Sequence, residues 1–340
     1  MAIEDRIDPD LLKNIDQLPA KDQEEILILL EELEDAEKKE KARQTFMGFV
    51  NKVWPAFIEG RHHKIMADAF ERVASGELKR LIVNMPPRHT KSEFASFLLP
   101  AWFLGNYPEK KIIQSAHTAE LSVGFGRKVR NLVDSDDYKS IFPNVLLRAV
   151  TGKGADLLVI DDPHSEQEGQ SSDPSVFDRV YDWYTSGPRQ RLQPGGSIIL
   201  VMTRWHKRDL TGQILKSSLQ RVGSDEWELI EFPALMPSDE PLWPEFWPRD
   251  ELEALRNELP APKWNAQYQQ NPTSEEGALV KREWWKTWER DKPPMCEFII
   301  QSWDTAFLKT QRADFSACTT WGVFYHPDGS GIEQPNIILL

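Results

Sequence analysis

The sequence predicts an α/β fold in which helices flank a parallel sheet, and three observations support this prediction. Between residues 46 and 235, short apolar runs alternate with stretches of helical periodicity, as in parallel strands joined by crossover helices. One apolar run leads into a loop that ends in Lys91-Ser92, and another ends in Asp161-Asp162. Because parallel strands end at the same edge of a sheet, we expect these polar residues to lie close together.

Four apolar runs are the predicted strands of this sheet, at residues 81–85, 111–115, 157–161 and 197–202. Ahead of them, apolar side chains at helical spacing and the pairs Glu34–Lys38 and Glu37–Lys41 predict a long acidic helix. This helix either packs on its own domain, which we favour, or contacts a partner. The predicted domains are the N-terminal helix (1–45), the α/β domain (46–240), a linker rich in Pro and Trp with one helix (241–296) and a second strand-rich domain (297–340).

The composition excludes several classes of protein. A net charge of −13 over 340 residues argues against a protein coated in nucleic acid, although it leaves room for a local basic surface. Two cysteines, Cys296 and Cys318, are too few for a disulfide framework or a four-ligand zinc site. The sequence has no apolar run near 18 residues and no signal-peptide pattern, so we expect no membrane span and a cytoplasmic protein.

The segment Asn84–Ser92 has the chemistry of a phosphate-binding loop between a strand and a helix. In such a loop the backbone N–H groups at the helix N-terminus face an anion, the lysine reaches the outer phosphates, and the hydroxyl holds Mg²⁺. The usual glycines are missing, and Pro86 and Pro87 stand in the loop instead. Taken alone, the segment favours a plain loop capped by Ser92 over a phosphate-binding loop.

The predicted strands at 157–161 and 197–202 add further candidates. Asp161 would hold the metal shell and Asp162 would polarise an attacking water, although a buried strand that ends in an Asp-Pro turn is the plain alternative. Thr203 and Arg204 follow the next strand and would sense the γ-phosphate, unless Arg204 is a surface ion-pair residue. All four side chains are predicted to lie at one sheet edge.

Together these segments resemble the large terminase subunit of tailed bacteriophages, the ATP-driven motor that packs viral DNA into the procapsid. The resemblance covers about residues 46–325. Its segments are PPRHTKS at 86–92, LLVIDDP at 157–163, MTRWH at 202–206, and the stretches at 242–259, 268–285 and 302–324. It implies a P-loop NTPase fold followed by the start of an RNase H-like nuclease domain at 297–340.

The resemblance also implies roles for single residues. Lys91 would contact the β- and γ-phosphates of ATP, and Ser92 and Asp161 would hold Mg²⁺. Asp162 would be the catalytic base, at a position that the family commonly fills with Glu. Thr203 would couple hydrolysis to domain motion. The loop residues that would contact the nucleotide are Pro87, Arg88, His89, Thr90, Lys91 and Ser92, with Arg88 stabilising charge on the γ-phosphate.

Two further groups of residues match family positions less closely. His62, His63 and Lys64, ahead of a predicted helix at 65–73, match the place of adenine contacts, although solvated loop residues are an equal alternative. Arg148 or Lys153 stands where related motors place an arginine that acts on the neighbouring subunit. A lysine would perform this task more weakly, because its ammonium group is not bidentate.

Residues 297–340 are predicted to begin a nuclease that uses two Mg²⁺ or Mn²⁺ ions. Asp304 would be its first metal-binding carboxylate. Asp314 is either an accessory ligand or, as we favour, a hairpin residue. The short passage at 143–151 and the end at Leu340 depart from the family, so we expect a truncated, internally deleted or partial gene product that does not cleave DNA.

The resemblance implies partners as well. They are double-stranded viral DNA, the portal protein, the small terminase subunit and further copies of the chain in a ring on the portal, all in the cytoplasm of a bacterial host. Two alternatives remain open. Another P-loop DNA-dependent ATPase, such as a helicase, would explain the loop and the two carboxylates but not residues 302–324. A prophage remnant that acts only through protein contacts would suit the acidic helix and the short passage at 143–151.

Overall fold

A computed structural model describes residues 18–145, 154–169, 171, 173–220, 223–273, 288, 292–304, 317–327 and 333–340. The chain divides into two compact units, Met1–Gly277 and Ala278–Leu340. Each unit is described by itself below. No helix in the described part of the chain is long and apolar enough to cross a membrane.

The first unit is built on a five-stranded parallel sheet, which confirms the predicted α/β architecture. Its strands are β1 (Arg80–Asn84), β2 (Ile112–Ala116), β3 (Ala155–Asp161), β4 (Leu192–Met202) and β5 (Glu228–Glu231). They lie in the order β2-β3-β4-β1-β5, and every neighbouring pair is parallel. The first four strands match the four predicted runs, with β1 and β2 each displaced by one residue and β3 and β4 starting earlier, whereas the short edge strand β5 was not predicted.

Both faces of this sheet are buried, because successive side chains of a strand point to opposite faces. On β1, Leu81 and Val83 join one hydrophobic core, while Ile82 joins the other. The same alternation continues on the central strands β3 and β4. The continuous apolar runs of the sequence therefore reflect strands that are covered on both sides.

The helices of the first unit cover these faces and extend beyond them. In chain order they are α1 (Ala20–Gln44), α2 (Phe46–Val53), α3 (Arg61–Ser75), α4 (Leu99–Asn106), α5 (Ala119–Val133), α6 (Asp136–Ile141), α7 (Glu166–Gly169), α8 (Ser175–Ser186), α9 (Leu210–Gln220), α10 (Arg249–Glu258) and α11 (Ala261–Gln267). A π-helix at Glu93–Leu98 precedes α4, and a 3-10 turn at Pro188–Arg191 precedes β4.

The C-terminal end of α1 packs on the first unit. Ala42 is buried, and its carbonyl accepts a hydrogen bond from the Trp102 indole at 3.0 Å. The predicted pair Glu34–Lys38 forms at 3.1 Å. Further towards the N-terminus the helix exposes apolar side chains, including Leu27 and Leu29. The C-terminal end of α1 therefore packs on its own domain, as we favoured, whereas its first turns are exposed to solvent.

Phe46, at the start of α2, joins the helices around the site. Its ring makes edge-on contacts with Phe70, Phe94 and Trp102 at centroid distances of 5.5–5.8 Å. Edge-on aromatic pairs of this kind stabilise a core beyond the area they bury. Phe94 lies in the π-helix, so this cluster fixes the helix that carries Lys91 and Ser92.

Residues 241–273, assigned from sequence to a linker with one helix, contain two helices, α10 and α11. They belong to the first unit. Leu252 and Trp264 are buried in a third core with Ala234 and Leu235. Trp243 is also buried, next to α3. This segment is thus part of the wall around the candidate site.

The second unit contains a three-stranded antiparallel sheet. Its strands are β6 (Phe298–Asp304), β7 (Ala317–Pro327) and β8 (Glu333–Leu339), in the order β6-β7-β8. They match the predicted runs at 298–303, 316–325 and 337–340, with β8 starting four residues earlier. Val323 and Phe324 on the central strand are buried.

Candidate functional site

The candidate site lies at the carboxyl edge of the parallel sheet, where β1, β3 and β4 end. The loop 86–92 follows β1, Asp161 closes β3 with Asp162 directly after it, and Thr203 follows β4. In open parallel sheets, ligands bind outside this edge. The structure therefore brings together the residues that the sequence analysis expected to meet there.

Asp161 is the buried centre of this site. One of its carboxylate oxygens accepts a hydrogen bond from Ser92 Oγ at 2.9 Å, and the other accepts one from Ser96 Oγ at 2.8 Å. Burial, and after it the neighbouring Asp162 carboxylate, raises the pKa of Asp161 above its usual range. Two hydroxyls thus orient a carboxylate that desolvation makes reluctant to ionise.

Lys91 is buried and forms an ion pair with Asp162, with 2.8 Å between Nζ and Oδ2. Burial alone would lower the pKa of this lysine. The carboxylates of Asp162 and Asp161 outweigh that effect and hold the pKa above its ordinary value. Lys91 is therefore a buried cation held by two carboxylates.

Thr203 connects the end of β1 with the residue that follows β3. Its backbone N–H donates to Asp162 Oδ1 at 3.0 Å, and its hydroxyl donates to the carbonyl of Met85 at 3.1 Å. Met85 immediately precedes the loop. Because β4 lies between β1 and β3, Thr203 reaches both of them.

The site contains backbone in the left-handed conformation. Arg88, Thr90 and Asp162 have φ angles of 59°, 68° and 40°. In the described part of the chain, only two other non-glycine residues have positive φ, Asp239 and Gln270. Such conformations cost on the order of 1–3 kcal/mol each and persist only where the surroundings enforce them. The loop thus adopts glycine-like backbone without glycine.

A chain of hydrogen bonds from α3 holds the loop. Gly60 N–H donates to His63 Nδ1 at 2.8 Å, and His63 Nε2 lies 2.6 Å from Thr90 Oγ1. The Thr90 hydroxyl donates in turn to the His89 carbonyl. Because Nδ1 accepts a hydrogen bond, His63 is neutral and Nε2 is its donor. This chain fixes Thr90 in its left-handed conformation.

The predicted position of His62 and His63 ahead of a helix was wrong. Both lie in the first turn of α3, which starts at Arg61, and both are fully buried, so the solvated-loop alternative fails for them. Lys64 is exposed and pairs with Glu59. The helix start at Arg61 could not be predicted from a capping side chain, because the N-cap residue is Gly60.

Two tryptophans from the segment 241–248 complete the wall behind the loop. Trp247 stacks on His89 at a centroid distance of 6.0 Å, and its indole N–H donates to the Arg88 carbonyl at 3.4 Å. Trp243 packs edge-on against His62 and His63. Burial is the main cause that lowers the pKa of all three histidines, to about 3 for His62, about 2 for His63 and about 4 for His89.

Arg204 is not the surface residue that one of the two alternatives expected. It is buried and pairs with Asp209, with 2.9 Å between Nε and Oδ2. Its backbone N–H donates to Gln270 Oε1 at 3.1 Å. Arg204 therefore ties the end of β4 to the residues after α11. Arg88, by contrast, exposes its side chain at the loop.

Some predicted site residues lie outside what the structure describes. Arg148, Lys153 and Asp314 are among them, as is most of the stretch 268–285. Asp304 ends β6 as predicted, but only its backbone is described. The nuclease centre therefore stays a prediction.

Two residues at the site were missed from sequence. Ser96 contacts Asp161, and its carbonyl accepts a hydrogen bond from Gln114 on β2. His117 follows β2 and contacts the carbonyl of Asp162. The available signals were a second serine four residues after Ser92 and a polar residue at the end of a parallel strand.

The donor set suits a hard divalent cation shared with phosphate. Mg²⁺ prefers oxygen ligands and is commonly held by one or two protein groups, with water and substrate phosphates completing its shell. Ser92 and Asp161 supply a hydroxyl and a carboxylate 2.9 Å apart. Among the described residues no cluster of three or more His, Cys, Asp or Glu side chains could hold a metal. Ser92 and Asp161 by themselves therefore fit a cation that takes its other ligands from elsewhere.

The fold and the site define a mixed α/β protein in which two carboxylates at a sheet edge face a lysine-serine pair. Comparison with solved structures finds a likeness to the large terminase of bacteriophage HK97, with 14% sequence identity and a TM-score of 0.39. The match covers 84% of this chain and 64% of that terminase. At this identity and TM-score, the likeness supports no conclusion about function. No protein-family model and no curated protein matches the sequence.

Proposed function

We propose that the chain binds ATP at the loop 86–92 and hydrolyses it. In this proposal Lys91 contacts the outer phosphates, Ser92 and Asp161 hold Mg²⁺, and Asp162 accepts a proton from the attacking water. The observation that carries the proposal is the convergence of two carboxylates on the lysine-serine pair. Asp161, which lies 69 residues after Ser92 in the chain, accepts a hydrogen bond from its hydroxyl at 2.9 Å. Asp162 forms an ion pair with Lys91 at 2.8 Å.

The existing contacts suggest how the site accommodates the nucleotide. Lys91 exchanges the Asp162 carboxylate for phosphate oxygens, which frees one oxygen of Asp162 to accept a hydrogen bond from water. The other oxygen stays bound to the N–H of Thr203, so the carboxylate keeps its orientation. The ion, when bound, neutralises charge on the β- and γ-phosphates. Arg88, which is exposed at the loop, is free to approach the γ-phosphate.

We further propose that hydrolysis drives DNA translocation in a packaging motor of the large terminase type. The support is the ordered resemblance of residues 86–92, 157–163, 202–206 and 302–324 to that family. Thr203 suits the coupling role, because it touches both the residue before the loop and the candidate base. Double-stranded DNA, the portal protein and the small terminase subunit are the partners that this function would require.

The test is ATP hydrolysis by the purified chain, measured alone, with DNA, and with DNA and portal protein. Hydrolysis that the Lys91→Ala variant lacks would support the ATPase. Stimulation that needs both DNA and portal would support a packaging motor. Equal stimulation by DNA alone would favour a helicase-like ATPase. Turnover no higher than that of Lys91→Ala under every condition would contradict the proposal and favour a protein that acts only through contacts.

A further inference from the structure

We infer that His117 is a positioning residue that holds Asp162 in the orientation needed to act on water. The inference rests on the proposed ATPase function. It starts from the pairing of β2 and β3, which sets Ala116 opposite Asp161. The first residue after each strand is His117 for β2 and Asp162 for β3. Strand pairing therefore places this histidine beside the candidate base.

His117 makes two hydrogen bonds to the same atom. Its backbone N–H donates to the Asp162 carbonyl at 3.3 Å, and its ring Nδ1 lies 3.0 Å from that carbonyl. A carbonyl oxygen only accepts, so Nδ1 must carry the proton. The side chain is otherwise exposed. Because its ring is exposed, His117 adds little to the core. Its ring instead contacts the backbone of Asp162 and can orient that residue.

Asp162 needs such a contact because its backbone is strained. Its φ of 40° is in the left-handed region, where an L-residue with a side chain is disfavoured. Contacts from neighbouring strands are what can hold a residue in this conformation.

The other contacts of Asp162 show what happens when a nucleotide takes Lys91. The N–H of Asp162 donates to the Val201 carbonyl at 2.9 Å, and Oδ1 accepts from Thr203 N–H at 3.0 Å. Both of these contacts use backbone groups of β4 or the residue after it. When Lys91 moves to the nucleotide, Asp162 keeps its contacts with Val201, Thr203 and His117. Of these three residues, only His117 contacts Asp162 through its side chain. A substitution at His117 therefore removes a contact to Asp162 and leaves the side chains of Lys91, Asp161 and Asp162 in place.

The test compares Ala, Asn and Gln at position 117. The Asn side chain places an amide N–H near the position of Nδ1, whereas the Gln side chain carries its amide further out. We expect His117→Ala and His117→Gln to lower kcat for ATP by about 10- to 100-fold, the effect of a small misplacement of a reacting group. KM for ATP should change little. His117→Asn should recover most of the lost rate.

A double variant distinguishes positioning from a general structural effect. If His117 acts through Asp162, adding His117→Ala to Asp162→Asn should lower kcat no further. Thr118→Ala is the matched control. It removes the cap that Thr118 Oγ1 gives Leu121 N–H at the start of α5 and should leave kcat within about two-fold. Thermal unfolding of each variant reports whether the fold is intact.

Three results would overturn the inference. They are full activity of His117→Ala, equal losses for Ala and Asn, and a double variant whose losses multiply. Failure of the ATPase proposal is seen separately, as wild-type turnover no higher than that of Lys91→Ala. That result would remove the positioning role as well.

Discussion

Lys91 Nζ lies 2.8 Å from Asp162 Oδ2, and this ion pair joins two residues to which the proposed reaction gives different tasks. The lysine is to bind phosphate and the aspartate is to activate water. As long as they bind each other, neither does so. Nucleotide binding must therefore break the pair, and the phosphate charge provides the replacement partner for Lys91.

Replacing Asp162 by Asn separates the two tasks. The amide oxygen still accepts the Thr203 N–H, but the charge that holds Lys91 is gone. We expect kcat for ATP to fall by about 100-fold or more, the range of a lost general base. The dissociation constant for ATP, measured by calorimetry, should stay the same or decrease, because Lys91 no longer has a competing partner.

The control for this prediction is Asp134→Asn. Asp134 forms an ion pair of the same length, 2.8 Å, with Lys139, but both side chains are exposed. Such a surface pair is screened by solvent and contributes little to stability, and kcat should not change. Weaker ATP binding by Asp162→Asn with an unchanged kcat would contradict the roles given to both residues.

Ser92 and Ser96 both contact Asp161, but they are expected to differ in their effect on Mg²⁺. Ser92→Ala removes a proposed metal ligand and should raise the Mg²⁺ concentration for half-maximal hydrolysis by about 10-fold or more. Ser92→Thr keeps the hydroxyl and should restore the wild-type requirement. Titration of activity with Mg²⁺ measures both.

Ser96→Ala leaves one oxygen of the buried Asp161 without its hydroxyl partner. The expected effect is a loss of about 1–3 kcal/mol in the free energy of unfolding, measured with urea. Ser140→Ala is the control, since its hydroxyl contacts the Asp137 carbonyl at an exposed position. Equal shifts in the Mg²⁺ requirement for Ser92→Ala and Ser96→Ala would mean that Ser92 is no ligand.

Trp247 is expected to support ATP binding without touching the nucleotide. Trp247→Phe keeps a ring on His89 but loses the hydrogen bond to the Arg88 carbonyl, while Trp247→Ala loses both. KM for ATP should rise in that order, by about 10-fold for Ala if the loop loses its arrangement. Trp183→Phe, on the exposed side of α8, is the control. Unchanged KM in Trp247→Ala would show that the loop holds its shape alone.

Three of the buried histidines, His62, His63 and His89, predict a loss of stability in acid. Each has a folded-state pKa well below the value of about 6.5 expected in the unfolded chain. As the pH falls below 6.5, the unfolded chain therefore takes up protons that the folded chain does not. The free energy of unfolding should fall by about 1.4 kcal/mol per pH unit for each histidine, until the pH nears its folded pKa.

His62→Phe tests this prediction, because it removes one titrating ring and keeps a similar apolar volume. Between pH 7 and pH 5 the loss of unfolding free energy should be smaller than in the wild type by about 2 kcal/mol. Urea unfolding at the two pH values gives the difference. An identical loss in both proteins would show that His62 does not titrate on unfolding.

The sheet and the centre of the site could be predicted from sequence because their signals are local. Apolar runs that end in Asp161-Asp162 and Thr203 identify strands whose ends meet. The edge strand β5 was missed because it has four residues and a glutamate at each end. The position of Asp304 at the end of β6 was also predicted from its strand pattern.

The wall behind the loop could not be predicted because its contacts join distant parts of the chain. Trp247 binds the Arg88 carbonyl across 159 residues, and His63 reaches Thr90 across 27. Histidine and tryptophan in such segments fit many environments, and only the fold shows that they are buried together. The left-handed conformation of Arg88 and Thr90 could not be predicted either, because neither residue is a glycine and distant contacts hold the loop.

The strand order has a consequence for how this chain folds. The loop follows β1, but both hydrogen-bonded neighbours of β1, the strands β4 and β5, come more than 100 residues later in the chain. During synthesis from the N-terminus, β1 and its loop therefore remain without a sheet partner until β4, which ends at Met202, has emerged, and the second partner β5 follows at Glu228–Glu231. The strands β2 and β3 pair with each other earlier. The loop 86–92 is then among the last parts of the first unit's sheet to become ordered, and fragments that end before β4 should expose β1 and aggregate.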